Sequence, residues 1–267
     1  MAAIDAAALT KRYGSTTAVD ELDLAVPEGV VYGFLGPNGA GKTTTMRMLT
    51  ALTRPTSGTA SVAGAPVTDR QRLIERIGYL PEEPPLYDEL TAREQLTYVA
   101  GLRDLPADRT EERIETQLDR LDLLDDADTR IDAYSKGMRQ KTAFVQALLH
   151  DPDVLFLDEP TSGLDPRAAR TIRELIDERA ARGTTVFLST HILPVVEEHA
   201  DTVGVLSDGR LVAEGAPDDL TRQAEAESDR TLEDVFLEVT SEDPAEDAAG
   251  GAVGGGAGPA TEGSPDA

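Results

Sequence analysis

The spacing of hydrophobic residues changes several times along this chain, and each change marks a different kind of predicted element. Short runs rich in hydrophobic and β-branched residues predict strands, some of them continuous enough for strands buried on both faces. Between about residues 88 and 150 the hydrophobic residues recur with helical spacing instead. The strand-like runs are IDAAAL, AVDELDLAV, VVYGFLG, IGYL, DVLFLDEP, TTVFLST and the hairpin TVGVLSDGRLVAEG, and the helical ones are EQLTYVAGL, ERIETQLDRLDLL and MRQKTAFVQALL.

Strands and helices alternate outside the 88–150 block, and this order predicts an α/β fold with a mostly parallel sheet covered by helices on both faces. The helical block interrupts the alternation, so we expect it to form an inserted α-helical lobe. Local signals mark where elements begin or turn. These signals are the capping-box pattern of Thr91 and Glu94, the helix start at Asp165-Pro166 and the hairpin turn at Asp208-Gly209.

A glycine-rich segment follows the run VVYGFL and precedes a predicted helix. It fits the pattern G-x-x-x-x-G-K-S/T, in which glycines let backbone N–H groups surround phosphate oxygens. Lys42 can place a charge on the terminal phosphates, and the Thr43 hydroxyl can ligate Mg²⁺. The pattern alone leaves a GTPase, a kinase and an ATPase open. The residues assigned to phosphate binding are Gly36, Pro37, Asn38, Gly39, Ala40, Gly41, Lys42, Thr43 and Thr44.

Two carboxylates end the hydrophobic run VLFL. Asp158 and Glu159 lie at the carboxyl end of this predicted strand, where ligands bind in open α/β sheets. Asp158 suits the coordination shell of Mg²⁺. Glu159, one residue further on, is expected on the other side of the strand end, where it can polarise an attacking water. Paired acids at a strand end also occur as helix caps or solvated charges, but the phosphate loop favours catalysis here.

Composition limits the classes of function. The 267 residues include no cysteine, so we expect neither a disulfide framework nor a thiolate metal site. We find no signal-peptide pattern and no hydrophobic run near ~18 residues, which predicts a soluble cytoplasmic chain. The net charge of −25 argues against wrapping of DNA or RNA, which requires a basic face. Because salt screens exposed charges, the acidic excess indicates a salt-adapted cytoplasm, with an acidic protein from ordinary salt as the alternative.

The last residues differ in composition from the rest of the chain. Residues 241–267, SEDPAEDAAGGAVGGGAGPATEGSPDA, offer almost nothing hydrophobic to bury. This composition predicts a disordered, acidic, glycine-rich tail. We therefore expect one folded domain over residues 1–240, with a helical subdomain at about 88–150.

The segment YSKGMRQK at 134–141 begins one of the predicted helices. A serine at a helix start is an ordinary cap that accepts a hydrogen bond from a backbone N–H group. A helix N-terminus with serine and glycine is also a ready anion site, because its free N–H groups and its dipole point outward. The residues themselves leave both interpretations open.

Taken together, these motifs resemble the ATP-binding cassette (ABC) ATPases from about residue 4 to 240. The segment 135–140 is similar to the family signature, residues 162–165 (SGLD) to its D-loop, and His191 to its switch histidine. The resemblance implies a P-loop NTPase core with an antiparallel β subdomain, ATP and Mg²⁺ as ligands, and Tyr13 stacked on adenine. It also implies catalytic roles for Lys42, Glu159 and His191.

The chain departs from the family pattern at three positions. The common signature has glycine and glutamine where this chain has Lys136 and Met138, and the usual lobe-coupling glutamine is Glu82. We assign Glu82 to Mg²⁺ or to water, with Glu83 as the alternative if the loop is shifted. The segments GYLPEEPPLYDELTARE and TLEDVFLEVT are similar to ATPase subunits of the drug-resistance and multidrug (ABC-2) exporters.

In this family the signature helix of one copy faces the ATP bound by another copy. The resemblance therefore implies an ATP-dependent homodimer in which Ser135, Gly137 and Asp165 of one copy complete the site of the other. It also implies a separate transmembrane permease, peripheral attachment at the inner face of the cell membrane and no nucleic-acid partner. A non-transport ABC ATPase and a nucleotide-dependent regulatory module are the alternatives, whereas a P-loop kinase leaves residues 134–140 unexplained.

Overall fold

Residues 2–228 are described by the computed structural model, with side chains for residues 2–222. The strands are β1 (Ala2–Tyr13), β2 (Thr16–Pro27), β3 (Val31–Leu35), β4 (Ser57–Val62), β5 (Ala65–Pro66), β6 (Ile77–Leu80), β7 (Val154–Asp158), β8 (Thr185–Thr190), β9 (Thr202–Ser207) and β10 (Arg210–Gly215). The helices are α1 (Lys42–Leu49), α2 (Arg70–Ile74), α3 (Ala92–Leu102), α4 (Ala107–Arg120), α5 (Lys136–Leu148), α6 (Pro166–Ala181), α7 (Leu193–His199) and α8 (Pro217–Ser228), with 3₁₀ turns at Leu124–Asp126 and Ile131–Ala133. The predictions for TLEDVFLEVT and for the tail at 241–267 concern residues outside the described range.

Two sheets organise the fold. The larger has the order β10-β9-β3-β8-β7-β6, and its neighbours are parallel except for the antiparallel edge pair of β10 and β9. The smaller sheet, β2-β1-β4-β5, is antiparallel throughout. Helices α3, α4 and α5 are inserted between β6 and β7. The predicted fold class, a mostly parallel sheet with an antiparallel β subdomain and an inserted helical lobe, is confirmed. Within residues 2–228, no helix combines the length and the apolar character that crossing a bilayer requires.

The core lies on both faces of the parallel sheet. On one face, Met46 of α1 is buried with Ile4 of β1 and Phe156 of β7, so α1 is packed between the two sheets. On the other face, Leu155 of β7 packs in a cluster with Phe144 of α5. Because successive residues of a strand point to opposite faces, a strand covered on both sides must be hydrophobic at every position. This is why the run VLFL shows no alternation.

The local signals in the sequence lie where they were predicted. Thr91 and Glu94 form a reciprocal capping box at the start of α3, with hydrogen bonds of 2.9 and 3.1 Å. Asp165 is the N-cap of α6 and Pro166 its first residue. Asp208 and Gly209 join β9 to β10 with φ values of 46° and 77°, the left-handed pair that a two-residue hairpin turn requires.

The parallel strands end at one edge of the larger sheet, and the predicted site residues follow these ends. The glycine-rich loop follows β3, Glu82 follows β6, Asp158 ends β7 and His191 follows β8. In open α/β sheets this carboxyl edge is where ligands bind, because the loops there diverge and leave a crevice. The topology therefore gathers segments that are far apart in the sequence.

Candidate active site

A cavity of about 430 Å³ lies at this carboxyl edge. Residues 37–39 and 41–44 of the glycine-rich loop line it, together with Glu82, Asp158, Glu159 and His191. Ala18 and Ser162 complete the wall. The structure thus brings together most of the residues predicted for phosphate, metal and catalysis. Ala18 was not predicted, and no motif marks it: it lies in β2, and the fold carries it to the loop.

The glycine-rich loop is held tightly against β2. Gly41 has a φ of 104°, and a side chain there would place its Cβ 2.3 Å from the carbonyl oxygen of Ala18. Only glycine satisfies both the left-handed backbone and this close approach. The first helical hydrogen bond of α1 runs from Thr45 N–H to Gly41 O at 2.9 Å. The N–H groups of residues 42–44 therefore precede the helical ladder and are available to an anion.

Lys42 is folded beneath the loop. Its Nζ donates to the carbonyl oxygens of Gly36 at 2.6 Å and Pro37 at 3.0 Å. Burial lowers the pKa of Lys42, while the carboxylates of Glu159, Asp158 and Glu82 act in the opposite direction. A buried ammonium close to these acids gives the cavity a positive centre surrounded by negative charge.

Thr43 and Asp158 form the second contact between the loop and the sheet. The Thr43 hydroxyl donates to Asp158 Oδ2 at 2.9 Å, and the Ser189 hydroxyl donates to Asp158 Oδ1 at 2.5 Å. Asp158 is buried, with 1% of its surface exposed. Ser189 was not predicted, since its only signal is its position opposite Asp158 in the pairing of β7 with β8.

The donor set of Thr43 and Asp158 fits Mg²⁺. Both supply hard oxygen ligands, and Mg²⁺ is usually held by one or two carboxylates together with phosphate oxygens and waters. Among the described residues, no group of three His, Cys, Asp or Glu side chains could hold a metal ion. A metal site shared with a phosphate-bearing ligand fits the oxygens that Thr43 and Asp158 present.

Glu159 is fixed by the end of the neighbouring strand. Its Oε1 accepts the His191 N–H at 3.0 Å and lies 2.7 Å from His191 Nδ1, and its Oε2 accepts the Thr190 hydroxyl at 3.2 Å. β7 ends at Asp158, and Glu159 has a φ of 48°. Simple strand alternation therefore does not describe its direction, and both carboxylates line the same cavity. A non-glycine residue in this left-handed region costs roughly 1–2 kcal/mol, a strain often found at functional sites.

Glu82, rather than Glu83, faces the cavity. Both glutamates are exposed, but Glu82 lines the cavity and contributes to the electrostatic environment of Lys42, whereas Glu83 is not part of the lining. The assignment of Glu82 to Mg²⁺ or to water stays a prediction.

The signature segment lies against the turn that follows β7. Ser135 caps α5 by accepting the Met138 N–H at 3.2 Å. The stem of Lys136 covers Gly163, where a Cβ would approach Lys136 Cδ to 2.8 Å, and its Nζ lies 3.5 Å from the Ser162 hydroxyl. Because Ser162 lines the cavity, the lysine that replaces the usual glycine connects the signature helix to the cavity wall of its own chain.

Six of the predicted binding residues are not part of the cavity lining. Two of them, Gly36 and Ala40, belong to the glycine-rich loop itself, and the other four are Tyr13, Ser135, Gly137 and Asp165. Asp165 accepts the N–H groups of Arg167 and Ala168, both at 3.0 Å, and the Ala168 bond first of all lowers the pKa of Asp165. Tyr13 is 49% exposed, and Lys11 Nζ lies 5.0 Å from the centre of its ring. None of these four residues therefore lines the cavity that the glycine-rich loop of the same chain forms.

Comparison with known proteins places the chain in a defined family. The family model described as "ABC transporter" matches residues 19–162. The uncharacterized ABC transporter ATP-binding protein all4389 of Nostoc sp. is 44% identical over 199 residues, which is 74% of this chain and 59% of that protein. The daunorubicin resistance ATP-binding protein DrrA3 of Streptomyces coeruleorubidus is 42% identical over 221 residues, which is 82% of this chain and 69% of that protein.

Among solved structures, one described as the ATP-binding subunit of an ABC transporter is similar with a TM-score of 0.82. It is 32% identical in sequence, and the match covers 89% of this chain and 99% of that one. The match to the Nostoc relative, in contrast, spans less than two thirds of that protein's length.

Proposed function

This chain belongs to the ABC transporter family, and we propose that it is an ATP-binding and ATP-hydrolysing subunit that powers export through a separate membrane permease. One observation carries the proposal: the glycine-rich loop, Asp158, Glu159 and His191 line a single cavity. The name of the Streptomyces relative, a resistance protein, supports export as the direction. The cavity residues are proposed to act on the phosphates of ATP, so they do not identify the transported substrate.

The phosphate-binding part of the proposal rests on the loop. The loop over residues 36–44 provides backbone N–H groups at the start of α1, and Lys42 adds an ammonium group whose pKa burial lowers and the surrounding carboxylates raise. ATP would place its phosphates over these groups. Tyr13, exposed at the end of β1, is proposed to stack on the adenine ring with the face that Lys11 leaves open.

The metal part of the proposal rests on Thr43, Asp158 and Glu82. Their oxygens would hold Mg²⁺, which when bound would neutralise charge on the phosphates. The Ser189 and Thr43 hydroxyls already orient both oxygens of Asp158, so little reorganisation would be needed on binding.

For hydrolysis, we assign Glu159 to orienting the attacking water and accepting its proton. A carboxylate has about four acceptor positions, so the bonds from Thr190 and His191 leave room for a water. His191 would keep Glu159 in place and contact the terminal phosphate, and Lys42 would stabilise the charge that develops there. Catalysis of this kind depends on positioning and electrostatics.

We further propose an ATP-dependent homodimer. Ser135, Gly137 and Asp165 are absent from the cavity of their own chain, and the N-terminus of α5 carries free N–H groups and a serine. A second copy related by a two-fold axis would present these residues to the opposite cavity, so that each nucleotide is held by both chains. The same surface pairing would create two equal sites.

The proposed location is the cytoplasmic face of the cell membrane. The loop at 82–90 runs from the cavity residue Glu82 to the start of α3 in the helical lobe. A movement at the cavity can therefore pass through this loop to a permease. Nucleic acid is not a proposed partner, because the net charge of −25 repels phosphate backbones. The same charge supports a salt-adapted cytoplasm as the working environment.

The experiment that tests the proposal is a tagged purification from native membranes with Mg-ATP, followed by a phosphate-release assay. We expect a multi-span membrane protein to copurify and the complex to release phosphate. A Lys42→Ala variant, prepared in the same way, should retain the permease and lose the release. Recovery of ribosomes or DNA in place of a membrane protein, or equal phosphate release by the variant, would overturn the proposal.

A further inference from the structure

The turn between β9 and β10 contacts the glycine-rich loop from outside the cavity. Asp208 and Gly209 form this hairpin turn, and neither residue lines the cavity. The Gly209 N–H donates to the carbonyl oxygen of Ala40 in the loop at 2.9 Å, and the Gly209 carbonyl oxygen accepts the N–H of Asp20 in β2 at 2.9 Å. The main chain of one residue therefore joins β2 to the glycine-rich loop.

The hydrogen bond to Ala40 sets the direction of one peptide unit. A trans peptide is planar and directs its C=O and its N–H to opposite sides. Because the carbonyl oxygen of Ala40 points to Gly209, the N–H of Gly41 points away from the hairpin turn. Gly41 lines the cavity, and its N–H has no hydrogen-bond partner in the described part of the chain. This N–H precedes α1, where a phosphate oxygen can accept a hydrogen bond from it.

Within the loop, the peptide unit between Ala40 and Gly41 has weaker support. Gly41 has a φ of 104°, and glycine populates several backbone regions at little cost, so this peptide unit can rotate when nothing holds it. The Ala40 N–H donates to the carbonyl oxygen of Pro37 in the same loop at 3.3 Å, a longer bond than the one from Gly209. The shorter bond on this residue therefore comes from outside the loop.

Gly209 leaves no room for a side chain at this contact. Its φ is 77°, and a Cβ on it would lie 2.9 Å from the carbonyl oxygen of Ala18 and 3.0 Å from Cα of Val19. The same oxygen would lie 2.3 Å from a Cβ on Gly41, so two glycines from different segments pack against one carbonyl group of β2. A left-handed backbone alone does not exclude a side chain, since Asp208 has one at a φ of 46°. The packing against β2 excludes it.

An ion pair fastens the hairpin turn to β2 beside this contact. Arg210, the first residue of β10, donates through Nη2 to Oδ2 of Asp20, and the Asp20 N–H donates to Gly209. Asp20 therefore holds the turn through both its side chain and its main chain. Since β2 belongs to the antiparallel sheet and β10 to the larger sheet, the two sheets are joined at the point where Ala40 is held.

We propose that Gly209 is a positioning residue for nucleotide binding. Through Ala40 it keeps the N–H of Gly41 turned towards the phosphates of ATP, and Asp20 and Arg210 keep Gly209 in place. The role rests on the proposed function, because ATP supplies the phosphate oxygens that accept this N–H. Gly209 does not touch the nucleotide, so it acts by holding the loop in its binding conformation before ATP arrives. A donor that is already in place costs less ordering on binding.

The test compares variants of the full chain by steady-state phosphate release and, in the Glu159→Gln background, by calorimetric titration with Mg-ATP. We expect Gly209→Ala to raise both the KM and the Kd for Mg-ATP by roughly 10–100-fold, the effect of losing one hydrogen bond to a charged group. Turnover at saturating ATP should stay near that of the parent, because the N–H contacts the phosphates both before and during the reaction. A purely structural defect would instead lower the amount of active protein, and so kcat, without changing the Kd.

The matched control is Gly183→Ala, between α6 and β8. Gly183 also has a left-handed backbone, with a φ of 96°, but a Cβ there would meet no atom within 4 Å. This variant should lower the thermal unfolding midpoint and leave the Kd for Mg-ATP unchanged. A Kd for Gly209→Ala equal to that of the parent, or equal weakening of binding by the two glycine variants, would overturn the proposal.

A second variant decides if Gly209→Ala does not fold. Arg210→Gln removes the ion pair with Asp20 and should raise the Kd in the same direction by a smaller factor. Its control, Arg170→Gln, removes the exposed pair with Glu174 on α6 and should leave the Kd unchanged. Equal Kd values for these two variants would then overturn the positioning role. If the parent binds no Mg-ATP, the proposed function fails as well, whereas if the parent binds and the variants match it, only the role of Gly209 fails.

Discussion

Glu159 Oε1 lies 2.7 Å from His191 Nδ1 and also accepts the backbone N–H of His191 at 3.0 Å. One carboxylate oxygen is thus held by both the side chain and the main chain of the same residue. The two residues follow the ends of neighbouring parallel strands, β7 and β8. The hydrogen bonds between them couple Glu159, the proposed base, to His191, which is proposed to contact the terminal phosphate.

We expect Glu159→Gln to lower ATP turnover by ~10²–10⁴-fold while ATP still binds, because the amide cannot accept a proton from water. His191→Ala should also lower turnover, and adding it to Glu159→Gln should cost much less than it does alone, since groups that act as a unit are not additive. The measurement is steady-state phosphate release by the parent protein, the two single variants and the double variant.

The matched control for that cycle is Glu197→Gln on α7, an exposed glutamate that loses the same charge. It should leave turnover unchanged. Near-normal turnover in Glu159→Gln would remove Glu159 from its role, and fully multiplicative effects of the two substitutions would show that the contact with His191 has no catalytic consequence.

Thr43→Ala should raise the Mg²⁺ concentration needed for half-maximal turnover by roughly 10–100-fold, the range seen when groups around a metal are lost. The hydroxyl both donates to Asp158 at 2.9 Å and is a proposed ligand. Thr43→Ser keeps the hydroxyl and should keep the requirement near that of the parent. The measurement is turnover as a function of Mg²⁺ concentration. If Thr43→Ala reaches half-maximal turnover at the same Mg²⁺ concentration as the parent, this residue is not part of the metal site.

Ser135→Ala removes the N-cap of α5 and should lower the free energy of unfolding by about 1 kcal/mol. It should also abolish dimer formation with Mg-ATP in the Glu159→Gln background, measured by light scattering after gel filtration. Thr91→Ala removes the cap of α3 at a similar cost in stability and is the control. If both variants dimerise equally well, Ser135 is a cap and nothing more.

We expect the free energy of unfolding to depend on pH because of His150. Burial first, and then the charge of Arg103, lower the pKa of His150 from 6.5 to about 4 in the folded chain, so the unfolded state binds the proton more readily between these values. The stabilisation is fully present above pH ~6.5 and is lost as the pH falls towards ~4, with a total of about 3 kcal/mol. His150→Gln should therefore show a shallower loss of stability over that range in denaturant titrations. Parallel curves for the two proteins would contradict the assignment.

The salt-adapted environment can be checked through stability. If repulsion among acidic residues destabilises the folded chain, the thermal unfolding midpoint should rise between low salt and ~1 M KCl, because exposed charges are then screened within ~3 Å. A chain with fewer acidic residues on its surface would show little change. A midpoint that does not rise would count against salt adaptation.

Much of the site could be predicted because it depends on local rules. The glycine-rich loop, the acids at the end of β7 and the caps at Thr91 and Asp165 are each set by a few neighbouring residues whose backbone geometry or hydrogen bonding has a recognisable pattern. The assignment of Glu82, with Glu83 as the alternative, came from the resemblance to the family's lobe-coupling position and stays a prediction. The alternation argument for Glu159 did not apply, since the strand ends before it and its backbone turns into the left-handed region.

The sequence by itself indicated the kind of chemistry. It contains a phosphate loop, a carboxylate proposed for the metal, a proposed base and a serine-led helix in a fixed order, on an α/β fold whose central strands are hydrophobic on both faces. Only the tertiary structure decided which residues meet. Ala18 against Gly41, Ser189 on Asp158, Lys136 over Gly163 and Gly209 on Ala40 have no local pattern. Each contact joins segments well separated along the chain, and such contacts follow from how the sheets and helices pack rather than from the spacing of residues.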